Sequence, residues 1–131
     1  MRIGIICSKS FDKMSDIRKL MSKIKNDLGL HNCIIVSAAH SDGDIEVKKQ
    51  TLKHELSYLE YNPAYTGKNM FSAESNSYYE GKNWHFSQII HRYQRLFFNV
   101  DRLFIFKTNS NLDDIFEMAI KKIPKKLRHS I

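Results

Sequence analysis

The chain has 131 residues, of which 42% are hydrophobic and 11% aromatic, with only two prolines and five glycines. This is the composition of one globular domain, long enough to bury an ordinary core without staples. No apolar run approaches the ~18 residues of a membrane-spanning helix, and the short apolar stretch behind Arg2 is too brief for a secretory signal, so a soluble cytoplasmic protein is expected.

The net charge of +7 is unevenly placed. Lys121, Lys122, Lys125, Lys126 and Arg128 fall in the last 11 residues, which hold no acidic residue, and removing these five cations leaves +2 for residues 1–120. Basicity is mostly a property of the tail, 121–131. It suits a solvated helix end, and it also allows weak attraction to phosphate or RNA.

Ile3-Gly4-Ile5-Ile6-Cys7 is a continuous apolar run and predicts a strand buried on both faces. A helix is expected from Asp12 to Leu28, with Met14, Ile17, Leu20, Met21, Ile24 and Leu28 at helical spacing and Gly29 as the stop. Residues 33–37 read as the second strand. The next helix is expected to open at Gly43 or Asp44 and run to about Tyr58, with Ile45, Leu52 and Leu56 inward.

Tyr58-Leu59-Glu60-Tyr61 is a third strand, ended by Asn62-Pro63. Residues 62–83 show no period, yet they carry Tyr65, Phe71, Tyr78 and Tyr79, which argues against plain disorder. The loop reads as a lid, an interface or a surface excursion. Helical period returns over 84–100 through Phe86, Ile89, Ile90, Tyr93, Leu96, Phe97 and Val100. On that helix His85, Gln88, Arg92 and Arg95 read as a polar face. Leu103-Phe104-Ile105-Phe106 is a fourth buried strand. The last helix has Asn111 and Asp114 as a cap-like pair, Leu112, Ile115, Phe116, Ala119, Ile120 and Ile123 as its apolar face, and Pro124 as its end. The expected fold is therefore α/β: one Rossmann-like three-layer domain over 1–131, with a mostly parallel sheet of four to five strands.

Two strand-to-helix turns carry the candidate chemistry. In Ser8-Lys9-Ser10-Phe11 the hydroxyls, the backbone amides and the Lys9 charge suit an anion, although serines also serve as turn and cap residues. In the second turn Ser37, Ala38 and Ala39 are small enough for close approach. Asp42 and Asp44 flank Gly43, where carboxylates can cap the helix or accept from ribose hydroxyls. No glycine lies between Gly4 and Gly29, so neither the dinucleotide fingerprint nor the phosphate-loop lysine motif is present, and no cofactor is expected by those routes. His40, Asp42 and Asp44 have ligating atoms but no spacing that specifies a metal, and none is expected. Cys7 and Cys33 read as reduced core thiols.

These turns carry a resemblance. Cys7-Ser8-Lys9-Ser10-Phe11, Val36-Ser37-Ala38-Ala39-His40-Ser41-Asp42-Gly43-Asp44, Tyr79-Glu80-Gly81-Lys82, His91-Arg92-Tyr93 and Asp101-Arg102-Leu103-Phe104-Ile105-Phe106 together resemble the SLOG superfamily of Rossmannoid nucleotide-binding proteins, in its YspA-like and DprA-like branches. Residue by residue, Ser8 and Phe11 match the first turn, with Lys9 where arginine is usual; Asp44 matches the aspartate that opens the second helix, and Arg92 the later arginine. The chain departs from the pattern at Ala38, Ala39 and Asp42, which stand at glycine positions, and at Tyr93, where asparagine is expected. The glycine-rich signature of the phosphoribohydrolase branch is missing, so that activity is not implied.

The expectation is a protein that binds a nucleotide or nucleotide-derived small molecule at the carboxyl ends of strands 1 and 2, as a sensor or sequestering protein. Ser8, Lys9, Ser10, Phe11, Ser37, Ala38 and Asp44 would line the site, Arg92 would meet a phosphate, and Tyr65 or Tyr79 would stack on a base. One alternative is an enzyme acting at an N-glycosidic bond through Asp44, Asp42 or Glu60. Another is a nucleic-acid adaptor using the basic tail and the Arg92 face. A homo-oligomer is compatible with the aromatic loop, and the composition fits a phage or AT-rich bacterial genome.

Overall fold

The computed structural model describes residues 1–28, 32–61, 70–73, 87–108, 114–121 and 123–124. Their order is β1 (Arg2–Cys7), α1 (Met14–Leu28), β2 (Ile34–Ser37), α2 (Asp42–Lys53), β3 (Ser57–Glu60), α3 (Ser87–Phe98), β4 (Arg102–Phe106) and α4 (Asp114–Ile120). The strands form one sheet in the order β3-β2-β1-β4, and every pairing is parallel. The α/β fold with a parallel four-stranded sheet is thus as expected.

Alternation along β1 makes the three layers. Ile3, Ile5 and Cys7 face one side, with Ile17, Met21 and Ile24 of α1 and Val47 of α2. Ile6 faces the other, with Tyr93, Leu96 and Phe97 of α3 and Phe116 and Ala119 of α4. A strand covered on both faces must be apolar at every position, which is why β1 reads as an unbroken run. No helix among the described residues is long and apolar enough to cross a membrane.

The sequence misjudged the face of α2. Ile45 and Leu52, expected inward, are 56% and 44% exposed. The buried face carries Gly43, Asp44, Val47, Gln50 and Thr51. The cause lies at the helix start: Ser41 and Asp44 form a reciprocal capping box that turns Asp44 into the protein, so positions one turn apart from it follow. The helix also ends at Lys53 rather than near Tyr58. Its end is a Schellman motif, in which the Leu56 N–H donates to Thr51 O (3.0 Å) and the Glu55 N–H to Leu52 O (3.1 Å). Leu56 is buried, but beyond the helix.

A second correction concerns α3. Arg92, read as part of a polar face, is 3% exposed, while Arg95 is exposed. Arg92 lies three residues after Ile89 and four before Leu96, on the same stripe as the core residues. Gly29, most of the 62–83 loop, Phe86, His85, Asn111 and the tail from 125 lie outside the described residues, as does the side chain of Gln88.

Candidate functional site at the carboxyl edge

All four strands point their carboxyl ends at one edge, and what is built there follows from where β1 loses its neighbours. Its pairing with β2 runs from Arg2–Ile34 to Gly4–Val36, whereas its pairing with β4 continues to Cys7–Phe106. Toward its end, β1 therefore needs other partners on the β2 side, and the first turn of α2 supplies them. The Cys7 N–H donates to Asp44 Oδ1 (3.0 Å), and the Ser41 hydroxyl donates to Cys7 O (2.9 Å). Two side chains replace a stretch of ladder. Gly43 makes this possible, because a Cβ there would come within 2.5 Å of the Cys7 Cβ and 2.8 Å of its Sγ.

Asp44 is fully buried, and its other oxygen accepts from the His40 N–H (3.0 Å) and the Ser41 N–H (3.2 Å). Burial pushes its carboxyl up to about 7, against the opposing pull of these backbone donors. The same enclosure, with the Asp44 charge beside it, pushes the Cys7 thiol well up, so this sulfur is held as a protonated core group rather than a nucleophile. Cys33 is also buried, at the opposite end of the sheet. Asp44 thus stands where an anion at the start of α2 would stand, and it already accepts the turn's N–H groups. Asp42, beside it, is exposed.

Between β1 and β4 the chain direction divides: β2 and β3 build outward on one side of β1, and β4 takes the other. This is the topological switch point of the sheet, the place where open α/β folds leave a crevice. The Ser8 N–H donates to Phe106 O (2.9 Å), tying the two turns together at their base. Above it runs a chain of hydroxyls: Ser8 Oγ to Ser10 Oγ at 3.3 Å, and Ser10 Oγ to Thr108 Oγ1 at 2.7 Å. Ser8 is buried, Ser10 half-buried and Lys9 exposed. Phe11 packs under the turn, with its ring 5.1 Å from that of Phe106.

On the α3 side of the edge, the His40 ring meets Tyr93 edge-on at 6.0 Å, and Tyr93 packs on Phe97 and Phe116. That contact puts this stretch of α3, Arg92 included, over the end of β2. Ala38 faces the same core. On the α2 side, the end of β3 holds a second polar group. Glu60 is 2% exposed, pairs with Lys48 Nζ (3.1 Å) and accepts from the Tyr58 hydroxyl (3.3 Å). Burial, followed by the Glu60 charge, pushes the Tyr58 phenol up, against a smaller opposing effect of the Ser37 hydroxyl.

Of the predicted site residues, Ser8, Lys9, Ser10, Phe11, Ser37, Ala38, Asp44 and Arg92 all belong to elements or turns that meet at this edge. They do not present their side chains alike. Lys9 and Ser10 reach the surface; Phe11, Ser37, Ala38, Asp44 and Arg92 are enclosed. Tyr65 and Tyr79 lie outside the described residues. Sequence reasoning missed Ser41, although Ser41-x-x-Asp44 has capping-box spacing, and it missed Thr108, which meets Ser10 across 98 positions with no local signal. It also missed Lys48, the partner of Glu60.

Compared with models of known families, with curated proteins and with solved structures, the chain finds no match.

Proposed function

We propose that the protein binds a nucleotide or nucleotide-derived small molecule at the carboxyl edge of its sheet, beside the ends of β1 and β2, as a sensor or sequestering protein. The observation that carries this reading is the hydroxyl chain Ser8–Ser10–Thr108 at the switch point between β1 and β4. Hydroxyls, the neighbouring backbone and the exposed Lys9 provide donors for a phosphate or ribose. The N–H groups of the second turn go to Asp44, so the anionic part of the ligand belongs on the first turn. In this reading Ser37, Ala38 and Asp44 shape the floor, and Arg92 adds positive charge beneath α3.

Ala39 holds a positive φ of 52°, a bend that glycine takes without strain. Binding is favoured over N-glycosidic turnover because two of the three candidate carboxylates are engaged, Asp44 by three backbone N–H groups and Glu60 by Lys48, while the third, Asp42, is exposed.

A thermal-shift series against a nucleotide panel that includes cyclic and ADP-ribose-type molecules tests the proposal. A true ligand at a hundred times its Kd raises stability by about 2.7 kcal/mol, on the order of 10 °C for a chain of this size. Ser10→Ala and Lys9→Ala should abolish that shift, with the unliganded Tm unchanged in Lys9→Ala and lowered by no more than a few degrees in Ser10→Ala, which loses its bond to Thr108. No shift across the panel overturns the reading.

A further inference from the structure

The face of α2 turned to solvent is not polar throughout. Ile45 and Leu52 are 56% and 44% exposed, and both stand opposite the buried stripe of Gly43, Val47, Gln50 and Thr51. Seven positions apart on a helix, they lie within about 20° of one line. Beside them runs a row of charges at i, i+4, i+7 and i+11: Asp42, Glu46, Lys49 and Lys53. Asp42, Lys49 and Lys53 are exposed, and Glu46, half-buried, is held toward α1 by Arg18 (3.0 Å). Both acids of this row fall in the first half of the helix and both bases in the second.

We propose that this face of α2 is a self-complementary docking surface for a second copy of the chain, the two helices packing antiparallel about a two-fold axis. An isologous contact requires one patch to fit itself reversed. The α2 face meets that condition in its apolar and its charged residues alike. When Ile45 lies against Leu52 of the partner subunit, symmetry sets the partner's Ile45 against Leu52. An antiparallel two-fold also brings like flanks together. In the same register Asp42 comes beside the partner's Lys53, and Glu46 beside the partner's Lys49, each pair occurring twice. Parallel packing would set Asp42 against its own copy and Lys53 against its own, and like charges repel. One helix face per subunit is a contact at the small end of specific interfaces, so the dimer is weak and reversible. At the dilution of a denaturant titration the chain is a monomer, and Ile45 and Leu52 then add little to its stability. This assignment is independent of what binds at the switch point.

Sedimentation velocity on the full chain tests this, from about 5 to about 500 μM at low ionic strength, where exposed charge pairs are least screened. The mass should climb with concentration from that of a monomer toward that of a dimer. Ile45→Gln combined with Leu52→Gln alters only exposed side chains, so the protein keeps its circular dichroism, and association should weaken about ten-fold or more. Asp42→Lys and Lys53→Asp each set like charges together at two symmetric places and should each weaken association about ten-fold. Combined in one chain, they rebuild opposite pairs and should recover most of the wild-type association. A chain that stays monomeric over the whole range overturns the proposal. So does a dimer that the apolar double substitution leaves intact, or a combined charge reversal whose two losses simply add.

Discussion

At Ala39 and Glu55 the backbone takes φ values of 52° and 59°, a region where a Cβ crowds the neighbouring carbonyl. Glu55 is the residue after the α2 cap, where glycine is favoured. Ala39→Gly and Glu55→Gly should each stabilise the fold by up to about 1 kcal/mol in denaturant titration; destabilisation by either would contradict the assigned turn. Gly43 is the opposite case, because its site has no room. Gly43→Ala drives a methyl into Cys7 and should cost about 1–3 kcal/mol, or more if the capping box shifts with it.

Asp44 makes stability depend on pH with a definite sign. In the unfolded chain an aspartate ionises near about 3.9, while the folded chain holds this proton up to about 7. Between those values the folded form carries the extra proton. The group's stabilising contribution is therefore fully present below about pH 4 and is lost as the pH rises to about 7, roughly 4 kcal/mol at most. Asp44→Asn cannot titrate, and its amide turns a donor toward a backbone N–H. It should be less stable than wild type in acid, and the gap in Tm between wild type and variant should shrink from about pH 4.5 to 7.5. A gap that stays constant across that range would show that Asp44 does not titrate there.

Among the elements, α2 is the one whose apolar residues mislead. Val47 is fully buried, whereas Ile45 and Leu52 are exposed. Val47→Ala should cost about 2 kcal/mol, while Ile45→Gln or Leu52→Gln should stay within about 0.5 kcal/mol. The helix was hard to face from sequence because its buried stripe includes a carboxylate, an amide and a hydroxyl, with Thr51 Oγ1 donating back to Val47 O (2.7 Å). Hydrophobic period cannot report a face fixed by hydrogen bonds. Where apolar packing does fix the face, as with Ile17, Met21 and Ile24 in α1 or Phe116 and Ala119 in α4, the spacing gave it correctly. In α3 the core residues were legible too, and only the charge of Arg92 disguised its place on the same stripe.

Across the whole molecule, the parallel sheet was legible because strands covered on both faces read as apolar runs separated by helices. Strand order was not, since no local pattern says that β4 returns beside β1; nor, for the same reason, was the meeting of Ser10 and Thr108. The two polar turns were visible, but their division of labour was not. One turn is closed by its own carboxylate, and the other carries hydroxyls and a lysine at the switch point. That asymmetry is what supports the proposal that a ligand's phosphate sits on Ser8-Lys9-Ser10.

Native mass spectrometry of the full chain as purified from cells tests this most directly. The purified chain should carry a bound species of nucleotide mass, released on denaturation and lost in folded Lys9→Ala and Ser10→Ala proteins. A bare chain that also takes up no member of a nucleotide panel would contradict it, as would an adduct retained in both variants.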